Sequence, residues 1–84
     1  RERNIIMAVL RDGGHTNRGN GLSTKALAQG YLHEAGEEFS DAGEEQSAIK
    51  AKESALNRKA KGALKSFVVS DPGDTPIVWG VTDQ

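Results

Sequence analysis

The chain has 84 residues and a mass of 9.0 kDa, so it holds one domain and a multidomain enzyme is excluded. It contains no cysteine, which excludes a disulfide framework and a thiolate metal site. The formal net charge of −1 conceals a segregation, because residues 34–45 carry six acids and no base, whereas residues 46–66 carry six bases and one acid. No apolar run has the length of a membrane span (about 20 residues), and no signal peptide is recognisable. Arg1 suggests a piece excised from a longer protein, and since no feature points to secretion we expect a cytoplasmic location.

The first predicted element is a short helix from Glu2 to Arg11, followed by a polar loop. Apolar residues at helical spacing form one face of the helix, and the Gly13-Gly14 pair ends it. The loop, residues 13–21, contains four glycines. It lacks the preceding strand and the Gly-Lys-Ser/Thr sequence of a phosphate-binding loop, so we predict a flexible connector.

A second and a third helix follow. The hydroxyl of Ser23 can cap a helix that is predicted to end toward Gly36. Ser40 or Asp41 can cap the next segment, with Glu44 either as the reciprocal partner of Asp41 or as a first-turn acid that the helix dipole favours. The third helix is placed at about Gln46 to Ser66, and its predicted core stripe comprises Ile49, Leu56, Ala60, Ala63 and Phe67. Its opposite face carries bases with two small polar side chains among them: Lys50, Ser54, Asn57, Arg58, Lys61 and Lys65.

The chain ends in two short β-rich runs, residues 67–70 and 77–82, which predict a hairpin. Trp79 alternates in phase with Ile77 and Val81, so a core position is predicted for it. From Phe67 onward the charged residues are all acidic: Asp71, Asp74 and Asp83.

This order of elements is similar to that of a winged helix-turn-helix domain over nearly the whole chain. Residues 22–28 (LSTKALA) resemble the opening of the family's second helix. Residues 55–69 (ALNRKAKGALKSFVV) resemble its third helix running into the first wing strand. The resemblance implies an α+β fold, a three-helix winged helix-turn-helix with a C-terminal β-hairpin wing, as a single domain over residues 1–84. A further resemblance, to the winged domains that follow the ATPase core of RepA-like replication helicases, suggests a parent protein.

The resemblance also implies that double-stranded DNA is the ligand and that the third helix enters the major groove. Carried over to this sequence, the candidate base readers are Ser54, Asn57, Arg58 and Lys61, and the candidate phosphate contacts are Lys50, Lys52, Lys59 and Lys65. Asn57 and Arg58 are the foremost readers, because asparagine pairs with adenine and arginine with guanine, whereas Lys61 and Lys65 suit phosphates better. Two features differ from the family pattern: the stretch 34–46 is long and acidic, and the wing tip, residues 71–76, has no base. DNA repels an acidic wing.

Three functions therefore remain open. The first is a DNA-binding domain in transcription regulation or replication. The second is a protein–protein interaction module, whose acidic turn or wing contacts a basic partner. The third is an accessory domain of a replication ATPase that binds single strands or a neighbouring subunit. Catalysis is not expected, since no Ser, His and Asp set is present. His15 and His33 lack partners at ligand spacing and the acidic run lacks the pattern of a calcium loop, so neither a metal nor a cofactor is expected.

Overall fold

A computed structural model describes residues 1–82 of the chain. These residues form a small α+β domain of three helices and a two-stranded antiparallel sheet. The elements in chain order are α1 (Glu2–Asp12), β1 (Leu22–Ser23), α2 (Thr24–Glu34), α3 (Ala42–Lys59), a single 3-10 turn (Lys65–Phe67) and β2 (Val78–Trp79). Asp83, the last acid of the sequence, lies outside the described residues. Within residues 1–82 no helix has the length and apolar character needed to cross a membrane.

The sheet joins segments that are far apart in sequence. In the register of β1 and β2, Leu22 lies opposite Trp79 and Ser23 lies opposite Val78. On the other side of β2, the predicted hairpin is shortened to one antiparallel bridge, between Val68 and Trp79. The backbone amide of Val69 donates to the oxygen of Val78 at 2.9 Å. β2 therefore lies between β1 and residues 68–69, and β1 is a strand that sequence periodicity did not predict.

Local hydrogen bonds fix the ends of α2 as predicted. The Ser23 hydroxyl accepts from the amide of Ala26 at 3.1 Å, which confirms the cap. At the other end Gly36 has a φ of 80°, a left-handed conformation that glycine adopts without steric cost. The following amide, that of Glu37, consequently reaches back to the oxygen of Leu32 at 3.0 Å, so the helix ends in a Schellman motif.

The third helix begins and ends earlier than the sequence pattern predicts. Asp41 is its cap, because its carboxylate accepts from the amide of Glu44 at 2.8 Å, and the helix then runs from Ala42 to Lys59. The predicted bounds of Gln46 and Ser66 are thus wrong, whereas the cap at Asp41, one of the two predicted, is confirmed. Gly62 disfavours continuation of the helix, and the side chain of Arg3 satisfies the free carbonyl of Ala63 at 2.9 Å. Ala63 is consequently exposed, which contradicts its predicted place in the core.

The core lies between the three helices and β2. Trp79 is at its centre with no exposed surface, which confirms the position predicted from the alternation of β2. Gly21 lets β1 approach β2 closely, since a Cβ atom there would lie 2.7 Å from the oxygen of Trp79. The other buried apolar residues come from every helix and from the chain after α3: Ile6, Leu10, Leu27, Ala28, Ile49, Leu56, Ala60, Leu64, Phe67 and Val81.

Candidate nucleic-acid interface

One side of α3 is a solvent-facing row of basic and small polar side chains, which we call the outer face: Lys50, Ser54, Arg58 and Lys61. Positions separated by four residues lie above one another on a helix, and Lys61 follows in the turn directly after α3. All four are exposed. The outer-face bases form no ion pair with any of residues 1–82. Their charge is therefore available to a ligand.

The first turn of α2 adds one base to this surface. Lys25 is exposed and lines an open groove between α2 and α3 together with Lys50 of the outer face. Lys25 is not among the site residues predicted from the sequence, although its place at the start of the predicted second helix was a usable signal. The rest of the groove lining is polar except for Ile49: Gln46, Ser47, Ile49 and Glu53.

Two of the predicted phosphate contacts lie on a different side of α3, which we call the inner flank: Lys52 and Lys59. Both reach the carboxylate of Glu2 on α1, at 3.1 Å from the Lys52 ammonium and 2.9 Å from that of Lys59. The Lys52 ammonium also lies 3.7 Å from the centre of the Tyr31 ring. The inner flank is thus partly neutralised by the protein itself.

The hydrogen bond from Lys59, with a further bond and charge from Lys52, holds the pKa of the Glu2 carboxyl below its ordinary value of 4.5, and partial burial acts against them. Because this pKa is lower in the folded chain than in the unfolded one, the ionised carboxylate stabilises the fold above the unfolded-state value. That contribution is lost as the pH falls through the folded-state value.

We therefore expect Glu2→Gln to destabilise the domain by about 0.5–1 kcal/mol at neutral pH. Below the lowered pKa of Glu2 the wild type carries a neutral carboxyl, so the two proteins are expected to be equally stable there. Urea unfolding at a series of pH values measures the difference. A difference between wild type and variant that is independent of pH contradicts a stabilising role for the ionised carboxylate.

The remaining predicted site residues, Lys65 and Asn57, have different surroundings. Lys65 is exposed on the 3-10 turn that follows α3, beyond the end of the helix. Asn57 is exposed at the border between the outer face and α2, where its Oδ1 accepts from the hydroxyl of Thr24 at 3.1 Å. Thr24 in turn accepts from the indole nitrogen of Trp79 at 2.9 Å. Of the eight predicted residues, the structure thus places Lys50, Ser54, Arg58 and Lys61 together, with Asn57 beside them.

The acidic turn at residues 71–76 has a basic partner that the sequence did not reveal. The guanidinium of Arg18, from the glycine-rich loop, lies 3.0 Å from the carboxylate of Asp71 and 3.1 Å from that of Asp74. Side-chain oxygens of Asn17 and Asn20 accept backbone amides of the same loop at 2.8 Å. The loop predicted as a flexible connector is therefore held by internal hydrogen bonds and by ion pairs to the acidic turn.

The acidic run at residues 34–45 is solvent-facing. Within residues 1–82 no ion pair joins its carboxylates to the bases of residues 46–66. Glu44 acts locally, because its carboxylate accepts from the amide of Ser40 at 3.1 Å in front of α3. The run therefore leaves the charge of the outer face uncompensated.

A comparison of the chain with protein-family models, curated proteins and solved structures finds no match.

Proposed function

We propose that the chain is a DNA-binding domain of the winged helix-turn-helix type, with α3 in the major groove. The observation that carries the proposal is that the basic residues of α3 differ in whether they have an acidic partner. Those of the inner flank have an acidic partner on α1, whereas those of the outer face have none among residues 1–82. Cations without internal partners can displace the counterions of DNA, which is the main source of affinity for phosphate.

The arrangement of the elements supports this proposal. A helix, a strand, two further helices and a terminal antiparallel pair follow one another in the order of a winged helix-turn-helix, and β2 pairs with β1 as well as with residues 68–69. In such an arrangement the second helix and the third helix together face the duplex. Lys25 at the start of α2 and Lys50 on α3 border the groove between these helices.

The exposed basic side chains take different roles in DNA binding. Arg58, in the last turn of α3, contacts a base edge, for which guanine offers the two acceptors that a guanidinium fits. The exposed lysines around it contact phosphates: Lys25, Lys50, Lys61 and Lys65. At the 71–76 turn, which we take as the wing, Arg18 offsets the two aspartates, so the repulsion from DNA that the sequence predicted is reduced.

Fluorescence anisotropy with labelled random duplex and single-stranded DNA, at about 50 and 200 mM salt, tests the proposal. With four phosphate contacts, the affinity for duplex is expected to fall on the order of a hundredfold over this range. Stronger binding to single strands would favour an accessory domain of a replication ATPase. Absence of binding to both DNA forms would overturn the proposal and favour protein contacts through the acidic surfaces.

A further inference from the structure

A chain of three side chains connects the core to the border of the outer face. The indole Nε1 of Trp79 lies 2.9 Å from Thr24 Oγ1, which lies 3.1 Å from Asn57 Oδ1. Trp79 has no exposed surface and Thr24 is 8% exposed, whereas Asn57 is exposed. The three residues belong to β2, α2 and α3, so this chain of hydrogen bonds couples the sheet to the proposed DNA-binding helix.

The chemistry of the groups fixes the direction of both hydrogen bonds. An indole N–H is a donor and never an acceptor, so Thr24 must accept from Trp79. The hydroxyl hydrogen of Thr24 then needs an acceptor, because an unsatisfied polar group in a buried position is costly. Asn57 supplies it with its amide oxygen. Among residues 1–82 this oxygen is the one acceptor within hydrogen-bonding distance of the Thr24 hydroxyl, so the oxygen of Asn57 and not its nitrogen faces Thr24.

The amide nitrogen of Asn57 consequently occupies the other arm of the planar group, directed away from Thr24. It makes no hydrogen bond to any of residues 1–82. Asn57 lies one helical turn before Lys61 and two turns after Lys50, so it adjoins the outer face. What Asn57 directs toward a ligand beside that face is its N–H₂ group, because the hydrogen bond from the buried Thr24 hydroxyl holds its oxygen on the opposite side, toward the core.

We propose that Asn57 contacts DNA as a hydrogen-bond donor only and selects a base edge made of acceptors, as guanine presents with O6 and N7. The proposal rests on the proposed DNA-binding function. It differs from the expectation that Asn57 reads adenine, since a bidentate contact with adenine requires the amide oxygen as well as the nitrogen. Thr24 is then a positioning residue, which determines the preference without touching DNA.

Nuclear magnetic resonance of the free protein tests the hydrogen-bond chain by itself. In the wild type, the Trp79 indole proton is expected to exchange slowly with water. Thr24→Val keeps the shape of the side chain but removes its hydroxyl, so the indole proton is expected to exchange faster and the Asn57 side-chain amide signals to shift. Thr24→Ser is the matched control, because it removes the methyl group and keeps the hydroxyl. Unchanged Asn57 signals in Thr24→Val would overturn the proposed orientation.

Selection of binding sites from a randomised duplex pool tests the contact with DNA. The position at which Asn57→Ala loses discrimination is the one that Asn57 reads, and the wild type is expected to prefer guanine over adenine there by about two- to tenfold. Thr24→Val removes the hydrogen bond to the amide oxygen of Asn57, so the base preference of this variant at that position is expected to shift toward adenine. Thr24→Ser is expected to retain the wild-type preference.

Several results would overturn the inference, and they differ from those that overturn the proposed function. A wild-type preference for adenine at this position, or a Thr24→Val variant with unchanged preference, would show that Thr24 does not set the contact. If Asn57→Ala lowers the affinity for all sequences by the same factor, Asn57 contacts phosphate and not a base. If the wild type shows no salt-dependent duplex binding, the proposed function fails and the base contact fails with it, whereas the resonance experiment still decides the orientation of Asn57.

Discussion

Replacing Lys50 and Lys61 together by alanine is expected to weaken duplex binding on the order of a hundredfold at about 50 mM salt and about eightfold at about 200 mM. Each phosphate contact contributes about 0.9 to the slope of log affinity against log salt, so the loss of two contacts lowers the slope by about 1.8. Both lysines are exposed on the outer face and lack an acidic partner among residues 1–82. Anisotropy titrations at a series of salt concentrations measure affinity and slope together.

The matched control is the double variant Lys52→Ala/Lys59→Ala. It removes the same two charges from the same helix, but from the inner flank, where both ammonium groups contact Glu2. We expect its duplex affinity to remain within about threefold of the wild type and its salt slope to be unchanged, since no phosphate contact is lost. Equal losses in the two double variants would mean that binding depends on net charge alone, and the assignment of the interface to the outer face would be wrong.

Trp79→Ala is expected to bring the domain close to the limit of stability. Removal of a fully buried tryptophan costs about 3–5 kcal/mol through lost apolar contact and the cavity left behind. A domain of this length has a free energy of unfolding of about 4–12 kcal/mol, so much of it is lost. The variant also leaves Thr24 without its indole donor. Urea unfolding followed by circular dichroism measures the change without relying on the tryptophan signal.

Trp79→Phe separates the two contributions of the indole. The phenyl ring fills most of the volume, while the hydrogen bond to Thr24 is lost, so an intermediate cost of about 1–3 kcal/mol is expected. A Trp79→Ala variant with the urea midpoint of the wild type would contradict the central place of this side chain in the core.

Features set by neighbouring residues were predictable from the sequence. The cap of α2 by Ser23 and the cap of α3 by Asp41 each involve a side chain and an amide three residues later, so the signal lies within one turn of helix. The end of α2 close to Gly36 is of the same kind. The alternation along the last strand also sufficed to place Trp79 in the core, because side chains of a strand point to opposite faces in turn.

The end of α3 was not predictable in this way. The apolar period continues past Lys59, so the sequence extends the helix to Ser66, yet the helix ends and Phe67 reaches the core through a 3-10 turn. The guanidinium of Arg3 packs against this turn, 2.9 Å from the oxygen of Ala63 and 4.9 Å from the Phe67 ring centre. Such contacts join residues some sixty positions apart, and the helical period contains no information about them.

In the candidate site, too, some features follow from the sequence and others depend on the fold. From its sequence alone the chain revealed that the third helix is basic and which of its residues face away from Leu56. Only the packing of α1 against the rest of the domain decided that Glu2 neutralises Lys52 and Lys59 while Lys50 and Lys61 remain available. Likewise, the pairing of β1 with β2 brings Trp79 to Thr24, and thereby orients Asn57. Charge and polarity belong to single residues, whereas the availability of a charge or of a hydrogen-bond acceptor depends on partners that the fold brings in from distant parts of the chain.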